Sequence, residues 1–166
     1  KTVRRQRQMC IRDSHCFNVE SPSELQRIAD IARANNTTAR ISLRVNPDVD
    51  AQTHPYISTG LKDNKFGIDI NLAREIYLGA AENPALDIVG VDCHIGSQLT
   101  SLSPFEAALQ RVLKLVDALA EDGIRLQHID VGGGLGVCYQ NEQPPAQADY
   151  IAQITTLMAG RAEAII

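Results

Sequence analysis

No apolar run in this 166-residue sequence approaches the ~20 consecutive residues that a bilayer-crossing helix needs. No secretory h-region stands near the N-terminus, so export is not expected. The four cysteines, Cys10, Cys16, Cys93 and Cys138, form no C-x-x-C pair. That excludes a zinc ribbon or a disulfide framework and reads as reduced thiols in a cytosolic protein. Tryptophan is absent, aromatics are only 4%, and no internal repeat or low-complexity tract is visible. Positive charge is scarce outside the first residues. Lys1, Arg4, Arg5, Arg7 and Arg12 face Asp13 in the 1–16 segment, so the remaining body is more acidic than the total of −4. An acidic body argues against nucleic acid as the main partner, with the basic 1–16 segment the one candidate nucleic-acid arm. The basic 1–16 segment has no aromatic interleaving and reads as a disordered end or a stretch foreign to the domain. The domain itself is expected over 17–166.

What remains is enough chain for one domain with a true core: 44% of residues are hydrophobic and 22% charged. Phe17-Asn18-Val19-Glu20 reads as a short strand. Ser21-Pro22-Ser23-Glu24 then combines a capping box with proline at the first helical position. The helix it opens carries Leu25, Ile28, Ala29 and Ala32 on one face. Ala39 to Asn46 is strongly β and is closed by Pro47. Residues 48–63 form a polar loop long enough to suggest function. Lys65 to Ile68 reads as a strand, with Asn71 capping the next helix. Ile88 to His94 is a further strand. Ser103-Pro104-Phe105-Glu106 repeats the capping signal before a long Leu/Val-striped helix that Gly123 stops. His128 to Val131 is a strand, and Asp149 is expected to cap a last helix. Strands alternating with helices imply a parallel sheet. A closed (β/α)8 barrel usually needs about 250 residues, so the chain reads as a partial barrel or a smaller open sheet.

Two strand ends carry the candidate chemistry. Ile129-Asp130-Val131 runs into Gly132-Gly133-Gly134-Leu135-Gly136. Backbone N–H groups without a neighbouring Cβ can close around a phosphate. The spacing is not G-x-G-x-x-G, which disfavours a dinucleotide fold. Some 35 residues upstream, Val91-Asp92-Cys93-His94-Ile95-Gly96-Ser97-Gln98 ends another strand. Alternation puts Gly90, Asp92 and His94 on one face, with Val89, Val91 and Cys93 on the other. A polar face at the carboxyl ends of strands is where barrel enzymes work. His94 suits ring stacking or proton transfer, while Ser97 and Gln98 suit phosphate contact or a turn cap. Cys93, on the apolar face, reads as core. Arg44 lies inside an apolar strand and needs a partner; Glu20 and Asp92 are the candidates.

These residues resemble the diaminopimelate decarboxylase family of pyridoxal-phosphate enzymes. The matching text is Arg44-Val45-Asn46-Pro47, Ile57-Ser58-Thr59-Gly60-Leu61-Lys62, Asn64-Lys65-Phe66-Gly67-Ile68, His94-Ile95-Gly96-Ser97-Gln98 and the glycine run. The resemblance implies a partial (β/α)8 TIM barrel of the alanine racemase-like type. It implies that His94 stacks on the pyridine ring of pyridoxal 5'-phosphate and acts in catalysis. It also implies that Ser97, Gly132, Gly133, Gly134 and Gly136 hold the phosphate and that Arg44 supports the cofactor from below. The implied reaction is decarboxylation of meso-2,6-diaminopimelate to L-lysine by a cytoplasmic homodimer, with no metal, nucleic acid or membrane.

The family's Schiff-base lysine and its Glu-Pro-Gly-Arg motif have no counterpart in the 166 residues, and neither does its C-terminal β-domain. The chain therefore reads as a fragment that does not decarboxylate alone. Competing readings are an ornithine or arginine decarboxylase or a racemase of the same barrel type, a non-catalytic pyridoxal-phosphate barrel, and a phosphate-binding barrel without that cofactor, such as an aldolase.

Overall fold

The computed structural model describes residues 15–49 and 66–166. The basic segment through Ser14 lies outside the described residues. So do positions 50–65, which hold most of the 48–63 loop, the Ile57–Lys62 motif and Lys65.

Strands β1 (Phe17–Val19), β2 (Ala39–Asn46), β4 (Leu86–Asp92), β5 (His128–Asp130) and β6 (Ala164–Ile165) form one sheet in that order. Every pairing is parallel. The short strand β3 (Ile68–Asp69) pairs in parallel with the end of β2. Helices α1 (Pro22–Ala34), α2 (Ile70–Ala81), α3 (Ser103–Glu121) and α4 (Gln147–Leu157) make the connections. This is the order of successive β-α units that the sequence implies, with one addition. Beyond α4, Ala164 and Ile165 extend the sheet beside β5. Two residues are too short a run for the pattern of the sequence to announce.

The first helix start is as expected. Ser21 Oγ accepts from Glu24 N at 3.2 Å, the forward bond of a capping box, and Glu24 Oε2 reaches one residue past the cap to accept from Glu20 N at 2.7 Å. The other three starts differ. Asp69, not Asn71, caps α2, accepting from Asn71 N at 2.9 Å. A carboxylate there also meets the positive end of the helix dipole. Ser103 does not cap α3: the residue before it, Leu102, is already helical, and no side chain caps that end. Glu106 instead accepts from Gln153 Nε2 at 2.7 Å and ties α3 to α4. Asp149 lies in the first turn of α4, behind an uncapped Ala146. Of the strand expected over 65–68, Lys65 lies outside the described residues and the described strand is Ile68–Asp69; the strand expected over 88–94 runs from Leu86 to Asp92.

One face of the sheet is apolar and covered by helices. Val19, Ile41, Leu43, Val45, Val91, Cys93 and Ile129 pack there against Leu25, Tyr77, Leu109, Val112, Val116 and Leu119. The opposite face is polar and arranged in rows across the strands. Asn18, Ser42, Gly90 and His128 are in register in one row. Arg44, Asp92 and Asp130 form the next row toward the carboxyl ends. A core built on one face alone leaves the other free to carry chemistry.

The β2–β4 ladder slips by one residue between Ile41 and Ser42. The fully buried Tyr77 hydroxyl fills that break. It donates to Gly90 O at 2.7 Å and accepts from Leu43 N at 3.3 Å. Burial drives its ionisation well above the ordinary value. Tyr77→Phe leaves two buried backbone groups without a partner, a loss of about 1–3 kcal/mol. Chemical denaturation is expected to show that loss with an unchanged m-value. A variant as stable as the parent contradicts this role.

Candidate functional site

The site is built where two loops meet at the carboxyl ends of β4 and β5. Glycine is required there by contact. A Cβ at Gly132 would stand 2.5 Å from Cys93 O and 2.9 Å from the His94 ring, and Gly132 has φ of 66°. A Cβ at Gly134, φ 112°, would overlap the Gly96 carbonyl oxygen. With both side chains absent, the loops join through backbone. Leu99 N donates to Gly134 O and Gly136 N to Leu99 O, each at 2.8 Å. The Gln98 side chain adds a two-way clamp on Val137, accepting from its N–H at 3.1 Å and donating to its carbonyl at 2.5 Å. Ile95, Leu99, Phe105 and Ala108 form a small second core beneath this junction.

Gly133 differs from its neighbours. It is exposed, and a Cβ there would meet nothing within 4 Å. The packing of the described residues therefore gives no reason for a glycine at this position. Open space over bare backbone is the form of a cradle for an external anion. The half-buried His94 borders it, and its Nδ1 accepts from Gly133 N at 3.4 Å. An accepting Nδ1 places the ring proton on Nε2. Burial, reinforced by the Arg44 charge, lowers the pKa of His94 and keeps the ring neutral. Ser97 is exposed on the same loop as His94.

Under the glycine turn lies a row of charge. Arg44 Nη1 meets Glu20 Oε1 at 2.8 Å, and its Nε lies 3.9 Å from Asp92 Oδ2, so both candidate partners are present. The guanidinium also lies 5.4 Å from the centroid of the Phe66 ring. Asp92 is nearly buried and stands in register with Asp130. Burial, helped by the Asp130 charge and opposed by Arg44, raises the Asp92 carboxyl to about 7. Asp130 Oδ1 accepts from Gly132 N at 2.8 Å. Cys93 is buried in the apolar core with its thiol pushed up to about 12, which leaves it inert as a nucleophile.

The structure thus gathers Arg44, His94 and the glycine turn at one end of the sheet, with Ser97 on the His94 loop. It also assigns the glycines different work. The amides of Gly132 and Gly136 make 2.8 Å bonds within the protein, whereas Gly133 N makes only the long 3.4 Å contact to His94 Nδ1 and its Cα faces open space. Sequence reasoning missed Asp130. Its signal was present: a carboxylate two residues before a glycine can bond that residue's amide in an Asx turn. Gln98 proves to be a clamp between loops.

The pyridoxal-binding domain model of the pyridoxal-dependent decarboxylases matches residues 1–165. A diaminopimelate decarboxylase of Pseudomonas aeruginosa is 60% identical over 147 residues, which cover 89% of this chain and 35% of that protein. The Haemophilus influenzae enzyme of the same name is 61% identical over 135 residues, 81% of this chain and 32% of the relative. The crystal structure of Helicobacter pylori diaminopimelate decarboxylase complexed with L-lysine superposes with a TM-score of 0.87 at 47% identity. That match covers 91% of this chain and 38% of the solved one. The chain spans about a third of the length of the curated relatives it matches. Among the described residues, no helix is long and apolar enough to cross a membrane.

The raised Asp92 carboxyl fixes a pH dependence. The folded state holds this proton more tightly than the unfolded state does. Stability is therefore lost as pH rises from the ordinary carboxyl value of 3.8 to about 7, and this contribution is flat above that. Asp92→Asn is expected to remove this slope and to make the protein more stable than the parent at pH 8. Urea titrations at pH 5 and pH 8 measure the difference, and an identical pH profile in parent and variant contradicts it.

Proposed function

The chain belongs to the pyridoxal-dependent decarboxylase family, and from that membership we propose that residues 17–166 form the cofactor-holding part of a diaminopimelate decarboxylase. The enzyme removes CO2 from meso-2,6-diaminopimelate to leave L-lysine, the last step of lysine biosynthesis. The observation that carries the reading is the open space over Gly133, bordered by a neutral His94.

The residues present fit pyridoxal 5'-phosphate. Gly133, Gly134 and Ser97 hold the phosphate, within a turn whose Gly132 and Gly136 amides are bonded inside the protein. A neutral His94 would pack against the cofactor ring, and an uncharged imidazole there would add no repulsion toward a ring that carries positive charge. Arg44, oriented by Glu20, supports the cofactor from below. The bound cofactor supplies a pyridine ring that accepts the electron pair left behind by departing CO2. The protein's part would be to hold the cofactor in place through Gly133, Gly134, Ser97 and His94. The enzyme works as a cytoplasmic homodimer, and His94 is its catalytic residue within this stretch.

The substrate is supported by relatives named diaminopimelate decarboxylase at 60% and 61% identity. The lysine/ornithine decarboxylase of Vibrio vulnificus, at 20% identity, shares the fold alone. The test is a panel assay on the full-length enzyme that carries this segment, with meso-diaminopimelate, L-ornithine, L-arginine and L-lysine as substrates. Release of CO2 with formation of L-lysine from meso-diaminopimelate alone is expected. Preference for ornithine or arginine overturns the substrate assignment, and no turnover of any of the four overturns the reading as an amino-acid decarboxylase.

A further inference from the structure

A cradle made of consecutive glycines has a physical weakness. Glycine loses more backbone freedom on ordering than any other residue. An anion site preorganised from Gly132-Gly133-Gly134 therefore needs outside restraints on its backbone. The described structure supplies several. His94 Nδ1 accepts from Gly133 N at a long 3.4 Å, and Leu99 N donates to Gly134 O at 2.8 Å. At the entry of the turn, Asp130 Oδ1 accepts from Gly132 N at 2.8 Å. That bond involves a carboxylate, so it is the strong one of the set. It also acts on the residue whose left-handed φ of 66° sends the chain from β5 into the cradle.

We propose that Asp130 is a positioning residue for the phosphate cradle, holding the Gly132 amide so that the following glycine backbone stays turned toward the anion. The proposal rests on the reading that the cradle takes the phosphate of pyridoxal 5'-phosphate.

A carboxylate beneath an anion site needs its charge absorbed, and the surroundings do this. The Gly132 N–H takes one lobe. In the same row, Asp92 is pushed toward its neutral form and Arg44 stands next to it. The row that looks like an unexplained concentration of charge is thus the support that lets Asp130 hold its bond under a bound phosphate.

The test compares Asp130→Ala and Asp130→Asn in the full-length enzyme that carries this segment. Equilibrium affinities are measured for pyridoxal 5'-phosphate and for pyridoxal, which lacks the phosphate. Asp130→Ala is expected to weaken the phosphate form about tenfold more than pyridoxal, while Asp130→Asn, which keeps an accepting oxygen, stays within about threefold of the parent. Hydrogen exchange of the Gly132 amide in the cofactor-free protein is expected to speed up in Asp130→Ala and to stay slow in Asp130→Asn. Equal weakening of both ligands marks a merely structural role and overturns the proposal, as does unchanged Gly132 exchange in Asp130→Ala. If Asp130→Ala does not fold, Asp130→Glu serves instead. It keeps the charge but moves the oxygen one methylene away from Gly132, and an unchanged ligand ratio there overturns the proposal equally. A parent protein that binds neither ligand defeats the cofactor reading, while the exchange rates still decide the role of Asp130.

Discussion

The contact on which the site depends is the approach of two backbones at the sheet's carboxyl edge. The loop after β4 and the loop after β5 come together so closely that side chains at Gly132 and Gly134 would collide with the Cys93 and Gly96 carbonyls. Once they meet, Leu99 pairs with the Gly134–Gly136 backbone and Gln98 clasps Val137. These contacts set where His94 stands relative to Gly133. A residue from one strand and a turn from the next become a single surface through this junction, and the parallel sheet holds their two roots in register.

The same edge concentrates charge, and the two features are linked. Arg44 lies between Glu20 and Asp92, while Asp130 bonds up into the glycine turn. Charges this close on a half-buried face are costly unless they neutralise one another. Burial shifts Asp92 toward its neutral form and lowers the pKa of His94. Both shifts reduce the charge on the face beside the glycine turn. A face that presented only apolar side chains would support the sheet equally well and would orient nothing.

Much of this was legible in the sequence because it is local. Alternation along Val89 to His94 assigned the two faces of β4, and the buried Cys93 and row-forming Asp92 agree with it. Arg44 in an apolar strand demanded a carboxylate, and both candidates stand beside it. The capping box at Ser21 was equally local. What escaped depends on distance or on small geometric offsets. Leu102 is already helical, so Ser103 does not cap α3, and two-residue β6 has too little pattern to read. The division of labour among the glycines was also hidden. Composition marks all of them as potential anion binders, whereas Asp130 two residues upstream engages the Gly132 amide, and His94 and Leu99, more than 35 residues upstream, engage those of Gly133 and Gly136.

The most direct measurement is therefore a comparison of Gly133→Ala with Gly134→Ala in the full-length enzyme that carries this segment. Thermal unfolding and the affinity for pyridoxal 5'-phosphate are recorded for both. If Gly133 is kept free for a ligand, Gly133→Ala folds within about 1 kcal/mol of the parent yet binds the phosphate cofactor at least about tenfold more weakly. Gly134→Ala, driven against the Gly96 carbonyl, loses stability first. A Gly133→Ala protein that binds the cofactor as tightly as the parent contradicts the account, and so does one whose fold collapses as Gly134→Ala does.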